Sequence, residues 1–318
     1  MNTKIQRFDM KFAVIDLGTN TFNLLIAEVD ENSTYKILLN IKEGVKLGEG
    51  GINKKFITEA AFQRGIDTVG RHFERMKPYH VDRVLAFATS AIRDAANGKE
   101  FTNELKKKFN LEIKIILGDK EAGLIYKGVK QTLSFHNKRF IILDIGGGSN
   151  EFIIADDEGI LWKRSFKLGM ARLLEKFQPS DPITTKEISD IEKYLDEELR
   201  DLFVQVHELK PEILVGASGS FDSFVAMLMA EGFLHHQSND LIHTIPLEVY
   251  AKLHQKLIQS TSLQRMQMQG LEPVRRDMIV LATIFVNFVL KKTGLTIMYQ
   301  SGYSLKEGAI LEMAKGRL

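Results

Sequence analysis

At 318 residues the chain exceeds the usual size of one compact unit, so two domains sharing a cleft are expected. A hydrophobic fraction of 44%, a charged fraction of 26% and only six prolines read as globular rather than disordered. The formal charge of +2 gives no global attraction to nucleic acid, the absence of cysteine excludes disulfides and any thiol nucleophile, and no run reaches the roughly 18 apolar residues of a membrane span.

In chain order, the segments 11–17 (KFAVIDL), 22–29 (FNLLIAEV) and 35–41 (YKILLNI) predict three strands joined by short turns. The first of these is short, holds Asp16 and precedes no small-residue cleavage site, so it reads as a strand and not a signal sequence. With no cysteine, a cytoplasmic protein is expected. Turns follow at Gly44 and 47–51, then a helix from Thr58, as N-cap, to about Met76. A buried strand within 81–91 ends in small residues; a helix over 98–110, a strand over 111–117 and a helix from about Asp119 complete the first half.

The layout then repeats. Strands are predicted over 139–145, 150–156 and 160–167, helices over 169–178 and 184–207, a strand over 212–216 and a helix after Gly219. The run from Met278 to Leu290 is too short to span a membrane and reads as a buried helix; a strand over 295–299 leads to a last helix near Ser304. His235, His236 and His243 fit no zinc spacing and read as a polar loop, and the basic pairs at 54–55, 275–276 and 291–292 read as solvated charge.

Both halves open with one device: a buried strand, Asp, a glycine turn, Asn and another strand. The first is Asp16, Leu17, Gly18, Thr19, Asn20, Thr21; the second is Asp144, Ile145, Gly146, Gly147, Gly148, Ser149, Asn150, Glu151. Glycines and hydroxyl residues in such turns leave backbone N–H groups open to an anion. Neither follows GxxxxGK[ST], which excludes a P-loop NTPase. Two Asp residues at equivalent strand ends would face each other across a cleft and hold one divalent cation with the phosphates it bridges; Mg²⁺ suits carboxylate, water and phosphate oxygens.

Further segments carry a resemblance. Phe87 to Ala95 (FATSAIRDA) with Asn97-Gly98, Gly118 to Gly128 (GDKEAGLIYKG), Leu47 to Gly50 (LGEG), Leu168-Gly169 and Lys306-Glu307-Gly308 resemble, in order, the motifs of the exopolyphosphatase and guanosine pentaphosphate phosphohydrolase family of the actin, Hsp70 and sugar-kinase superfamily. The resemblance implies an α/β fold of two RNase-H-like, actin-like ATPase domains around a central cleft. It divides the chain into 1–128 with the returning helix 304–318, and 129–303.

It also implies Glu121 as the base that activates water, and Asp144 and Glu151 as catalytic acids that position metal and water. Asp16, Asp144 and Glu151 would hold Mg²⁺. Arg93 would bind phosphate together with the two loops, Gly18, Thr19, Asn20, Thr21 and Gly146, Gly147, Gly148, Ser149. The expected substrates are inorganic polyphosphate and guanosine penta- or tetraphosphate, with no nucleic-acid or membrane partner; relatives are often dimers, so a homodimer is compatible with the resemblance.

Two positions depart from the family pattern: Asn23 replaces a basic residue or His, and the superfamily's adenosine turn reads Gly216-Ala217-Ser218-Gly219-Ser220. Longer relatives carry a helical C-terminal region with a His-Asp motif that this sequence lacks, so the catalytic pair of domains alone is expected. Lys46, Lys127, Arg172, Arg275, Arg276 and Lys306 are basic residues available to a substrate channel. An actin-like ATPase or kinase, and a non-catalytic alarmone or polyphosphate sensor, remain as alternative readings.

Overall fold

The computed structural model describes residues 10–133, 135–235 and 241–318. In its first half, strands β1 (Met10–Leu17), β2 (Thr21–Val29) and β3 (Tyr35–Gly44) form the meander, followed by helix α1 (Glu59–Met76). Strand β4 (Arg83–Ala88), helices α2 (Ser90–Asp94) and α3 (Gly98–Phe109), strand β5 (Glu112–Ile115) and helix α4 (Gly118–Val129) complete it. Gly44, expected in a turn, instead ends β3 opposite Thr21. The strand expected to run on to residue 91 stops at Ala88, and its small residues open α2, so the pattern of small side chains marked a strand-to-helix junction.

The second half begins with β6 (Phe140–Ile145), β7 (Asn150–Ala155), β8 (Ile160–Phe166) and α5 (Met170–Phe177). The single helix expected over 184–207 is two, α6 (Thr185–Glu198) and α7 (Arg200–Leu209), divided at the buried Leu199. Ile191, Leu195 and Leu202 keep one apolar stripe on the core through the break, which is why the sequence reads as continuous. Strand β9 (Ile213–Ala217) and helix α8 (Gly219–Ala230) follow.

Beyond them, β10 (Ile242–Thr244), α9 (Leu247–Ile258) and α10 (Ser262–Gln267) were not foreseen; α11 (Ile279–Thr293), β11 (Ile297–Ser301) and α12 (Leu305–Ala314) were. His243 is not in a polar loop: it lies on β10, buried, with Nδ1 2.9 Å from Gln300 Oε1. His236 falls outside the described residues.

The two sheets have one topology. The first runs β3-β2-β1-β4-β5; the second runs β8-β7-β6-β9-β11, extended by β10. In both, the first three strands are antiparallel and the first, fourth and fifth are parallel. This is the two-domain actin-like arrangement.

Helices α4 and α12 pack against each other between the sheets, and the strands alternate side chains toward them and away. Phe12 and Val14 on β1, and Phe140 and Ile142 on β6, share the central core with α4 and α12. Ala13, Ile15 and Leu17 join the outer core of the first sheet, and Ile141, Leu143 and Ile145 that of the second. Buried on both faces, these strands read as continuous apolar runs. Asp16 and Asp144 continue the inward parity, so a period of two aims both carboxylates from opposite sheets at the space between.

Candidate active site

Each Asp is followed by a glycine turn of the same geometry. Gly18 N–H donates to Thr21 O at 3.2 Å, and Gly146 N–H donates to Ser149 O at 3.1 Å. A Cβ at Gly18 would lie 2.7 Å from Thr21 O and one at Gly146 2.6 Å from Ser149 O, so both turns require glycine. Outside the turns, donors from neighbouring segments occupy the carbonyls. Gly48 N–H bonds Thr19 O, Val45 and Lys46 N–H bond Asn20 O, and Met170 and Ala171 N–H bond Gly146 and Gly147 O. Among the described residues no protein acceptor meets the N–H groups of Thr19, Asn20, Gly147 or Gly148, which leaves donors for an anion.

The short motifs brace this pair of turns. A Cβ at Gly48 would strike Thr19 Cγ2 at 2.7 Å, and one at Gly169 would meet the backbone of Gly147 and Gly148 at 2.4 Å. Asn97 imitates a strand neighbour: its side chain bonds Ile57 N–H at 2.9 Å and Ile57 O at 2.8 Å. The turns also touch across the cleft, for a Cβ at Gly148 would lie 2.4 Å from Thr19 Oγ1.

Glu121 enters from the first turn of α4. At the start of that helix Gly118 abuts β8, where a Cβ would meet Ser165 Cβ at 2.3 Å, and Ser165 Oγ in turn donates to Glu151 Oε1 at 2.6 Å. Arg93, at the end of α2, donates through Nη1 to Ile116 O at 3.0 Å and to Glu121 Oε2 at 2.9 Å. One cleft is lined by Asp16, Gly18, Thr19, Asn20, Thr21, Glu121, Asp144, Gly146, Gly147, Gly148, Ser149 and Glu151. All the expected site residues meet there except Arg93, which stands behind Glu121 and orients its carboxylate.

Burial raises all four acids, and repulsion from a neighbouring carboxylate is the next cause at Glu121 and Glu151. Glu151 is pushed up to about 7 by burial and by Asp144, and Asp144 to about 6 by burial, against the opposing bond from Ser304 Oγ. Glu121 is raised by burial and by Glu151, with Arg93 pulling the other way. Asp16 is raised by burial, opposed by Lys306 and by Asn23 Nδ2, which donates to Asp16 Oδ2 at 2.9 Å. Four carboxyls held above their usual range in one cleft are a site short of positive charge.

The lining Asn20, Asn23 and Glu307 each keep a buried oxygen with no hydrogen-bond partner in the protein. That donor set suits a hard divalent cation. Among the described residues no three acidic or histidine side chains converge on one ion position. The expected trio Asp16, Asp144 and Glu151 is therefore not gathered as a cage; one or two carboxylates with water and phosphate oxygens are the coordination that Mg²⁺ prefers.

Two of the basic residues expected along a channel, Lys306 and Arg275, line the cleft. Lys306 stands beside Glu307, Asp16, Asp222 and Asp144, whose charges outweigh its burial and keep it an ammonium. Arg275 was expected as part of a solvated pair, yet it lines the cleft, filling the space a Cβ at Gly219 would need, with Nε 3.1 Å from Glu272 Oε2. The capping box of Ser304 and Glu307, which fixes the start of α12 beside Asp144, was the available signal. Other basic residues weighed for a channel have other partners: Lys127 pairs with Glu312, Lys46 with Asp277 and Arg276 with Met266 O.

The model of the Ppx/GppA phosphatase family matches residues 25–316. The chain belongs to that family. It is 28% identical over 305 residues to a putative exopolyphosphatase of Haemophilus influenzae, covering 96% of this chain and 92% of the relative. It is 27% identical to the guanosine-5'-triphosphate,3'-diphosphate pyrophosphatase of Photobacterium profundum, of which it spans 59%. A crystal structure of an exopolyphosphatase from Cytophaga hutchinsonii superposes with a TM-score of 0.92 at 35% identity, covering 96% of this chain and 98% of that one. The Aquifex aeolicus member of the Ppx/GppA family, with a TM-score of 0.78 at 22% identity, shares the fold. Among the described residues no helix is long and apolar enough to cross a membrane.

Proposed function

We propose that this Ppx/GppA phosphatase hydrolyses the terminal phosphoanhydride of inorganic polyphosphate, releasing orthophosphate, with pppGpp as a second substrate of the same terminal chemistry. The observation that carries the reading is Glu121: a carboxylate oriented by Arg93, buried between two N–H-lined turns that face one another. Phosphoryl transfer passes through a loose transition state with charge on the equatorial oxygens, so positioning and neutralisation dominate.

In this reading the peptide N–H groups of Thr19, Asn20, Gly147 and Gly148, with the hydroxyls of Thr19 and Ser149, hold the terminal phosphoryl group. Glu121 takes a proton from water as its oxygen attacks the terminal phosphorus; the bond to the bridging oxygen breaks, leaving orthophosphate and a chain shorter by one unit. Lys306 faces the charge that develops. Asp144 and Glu151 are the carboxylates that would hold Mg²⁺ together with water and phosphate oxygens, and the chemistry the ion would supply when bound is to neutralise the phosphate charge. Arg93 acts through Glu121 in this arrangement.

Phosphate release from polyphosphate, pppGpp and ATP, each with and without Mg²⁺, tests the proposal. Mg²⁺-dependent release from the first or second supports it. Turnover of ATP alone supports an actin-like ATPase, and binding of guanosine tetraphosphate without release from any of the three supports a sensor.

A further inference from the structure

Arg172, on α5, has no part in the chemistry described so far, yet each of its three guanidinium nitrogens donates to the protein. It is buried, at 8% exposure, and its guanidinium reaches four places. Nε donates to Gly148 O at 2.7 Å, in the second phosphate turn. Nη1 donates to Ile52 O at 3.1 Å, in the segment after β3 that braces the first turn. Nη2 donates to Ser90 Oγ at 3.3 Å and to Asp94 Oδ2 at 2.8 Å, at the two ends of α2.

Gly148 and Arg172 belong to the second half of the chain, and Ile52, Ser90 and Asp94 to the first, so one planar fork ties the two sheets' segments together. Asn53 repeats the link in reverse, donating through Nδ2 to Arg172 O at 3.2 Å. Asp94 is next to Arg93, whose Nε lies 3.8 Å from Asp94 Oδ1 and whose Nη1 holds Glu121. A path of charged contacts thus runs from the second phosphate turn through Arg172, Asp94 and Arg93 to the carboxylate assigned to water activation.

We propose that Arg172 is a positioning residue that makes closure of the cleft and orientation of Glu121 one event: the guanidinium locks the second phosphate turn onto α2, and α2 then presents Arg93 to Glu121. A planar fork suits this because its donors point in fixed directions, whereas a lysine keeps the charge without the geometry. The carbonyls of Gly148 and Ile52 both need that geometry. Because every contact of Arg172 spans the cleft or joins a site-bearing turn, its loss falls on the step in which the closed site assembles. The inference rests on the function proposed above.

The test is steady-state phosphate release from polyphosphate with Mg²⁺ by Arg172→Gln, Arg172→Lys, Asp94→Asn and the double variant Arg172→Gln/Asp94→Asn. The expected result for Arg172→Gln is a fall in kcat of about tenfold or more with KM changed less than about threefold, as expected for loss of charge-assisted bonds made in the closed state. Arg172→Lys should be intermediate, and the double variant should lose no more than the worse single one.

Folded variants with unchanged kcat, or single losses that multiply in the double variant, overturn it. Amide hydrogen exchange supplies an arm that does not depend on turnover. Arg172→Gln, or Arg172→Lys if the former does not fold, should speed exchange over 93–94 and over 170–172, whose first two N–H groups bond the carbonyls of the second phosphate turn, while leaving 213–217 protected. If the wild type releases no phosphate, the function is at fault and this arm judges the link by itself; unchanged exchange in both segments overturns it.

Discussion

Asn23 occupies in the first hairpin the register that Glu151 occupies in the second: Asp16 lies opposite Asn23 on β1 and β2 as Asp144 lies opposite Glu151 on β6 and β7. The duplicated fold therefore offers two acidic hairpins, one of which carries an amide that donates to its Asp. Asn23→Asp would remove that donor and set a second carboxylate against Asp16. We expect a loss of about 1–3 kcal/mol at pH 8 that shrinks toward pH 5, where the added acid is protonated. Urea unfolding at the two pH values measures it.

The buried acids set a second pH dependence. Asp144 and Glu151 titrate near 6 and 7 in the folded chain, from ordinary values of 3.8 and 4.5. Folded values above unfolded ones mean that the stability they contribute is complete below the unfolded values and is lost as pH rises through the folded ones. The metal-free protein should therefore weaken between about pH 4 and pH 7 on this account. Mg²⁺, proposed above to bind the ionised forms, should raise the melting temperature at pH 8 and have little effect at pH 5. Thermal scans with Mg²⁺ and with a chelator check both halves of the statement.

His72 works in the opposite direction. It is buried on α1 and held down to about 4 by that burial, despite Glu43 3.7 Å from Nδ1. A depressed value means that its contribution is present above the ordinary 6.5 and is lost as pH falls through about 4. Replacing it with leucine should remove about 3 kcal/mol of acid sensitivity between pH 7 and pH 4. The unfolding free energies of wild type and His72→Leu, compared at the two pH values, isolate this term from that of the carboxyls.

Gly128 and Gly308 mark the closest approach of α4 and α12. A Cβ at Gly308 would lie 1.9 Å from Leu124 O, and one at Gly128 1.9 Å from Ser304 O, both backbone atoms that cannot swing aside. Gly308→Ala should cost about 2 kcal/mol or more through this overpacking. It should also lower turnover, since α12 carries Lys306 and α4 carries Glu121. Chemical denaturation and phosphate release, measured on one preparation, show whether the two losses travel together.

Much of this was legible in the sequence because the strands of both sheets are buried on two faces and bounded by glycine turns, as in 11–17 and 139–145. The convergence of Asp16 and Asp144 follows from the repeat, and Glu121 from a motif, since its position alone suits an ordinary acid at a helix N-terminus. Long-range pairing was not legible. Nothing local marks Arg93 as a partner of Glu121, and nothing local sets Arg172 apart from a surface arginine. The elements within 242–267 are not evident in the sequence although Tyr250, Leu253 and Leu257 recur at helical spacing on α9, because β10 and α10, of three and six residues, are too short to carry a periodic pattern.

In the proposed reaction the Glu121 carboxylate takes the proton of the attacking water. This step is tested most directly by orthophosphate release from polyphosphate by Glu121→Gln beside wild type, in Mg²⁺, with folding verified by circular dichroism. The expected result is a fall in kcat of at least about a hundredfold, the scale of a lost general base. Release within a few-fold of wild type by the folded variant would contradict it.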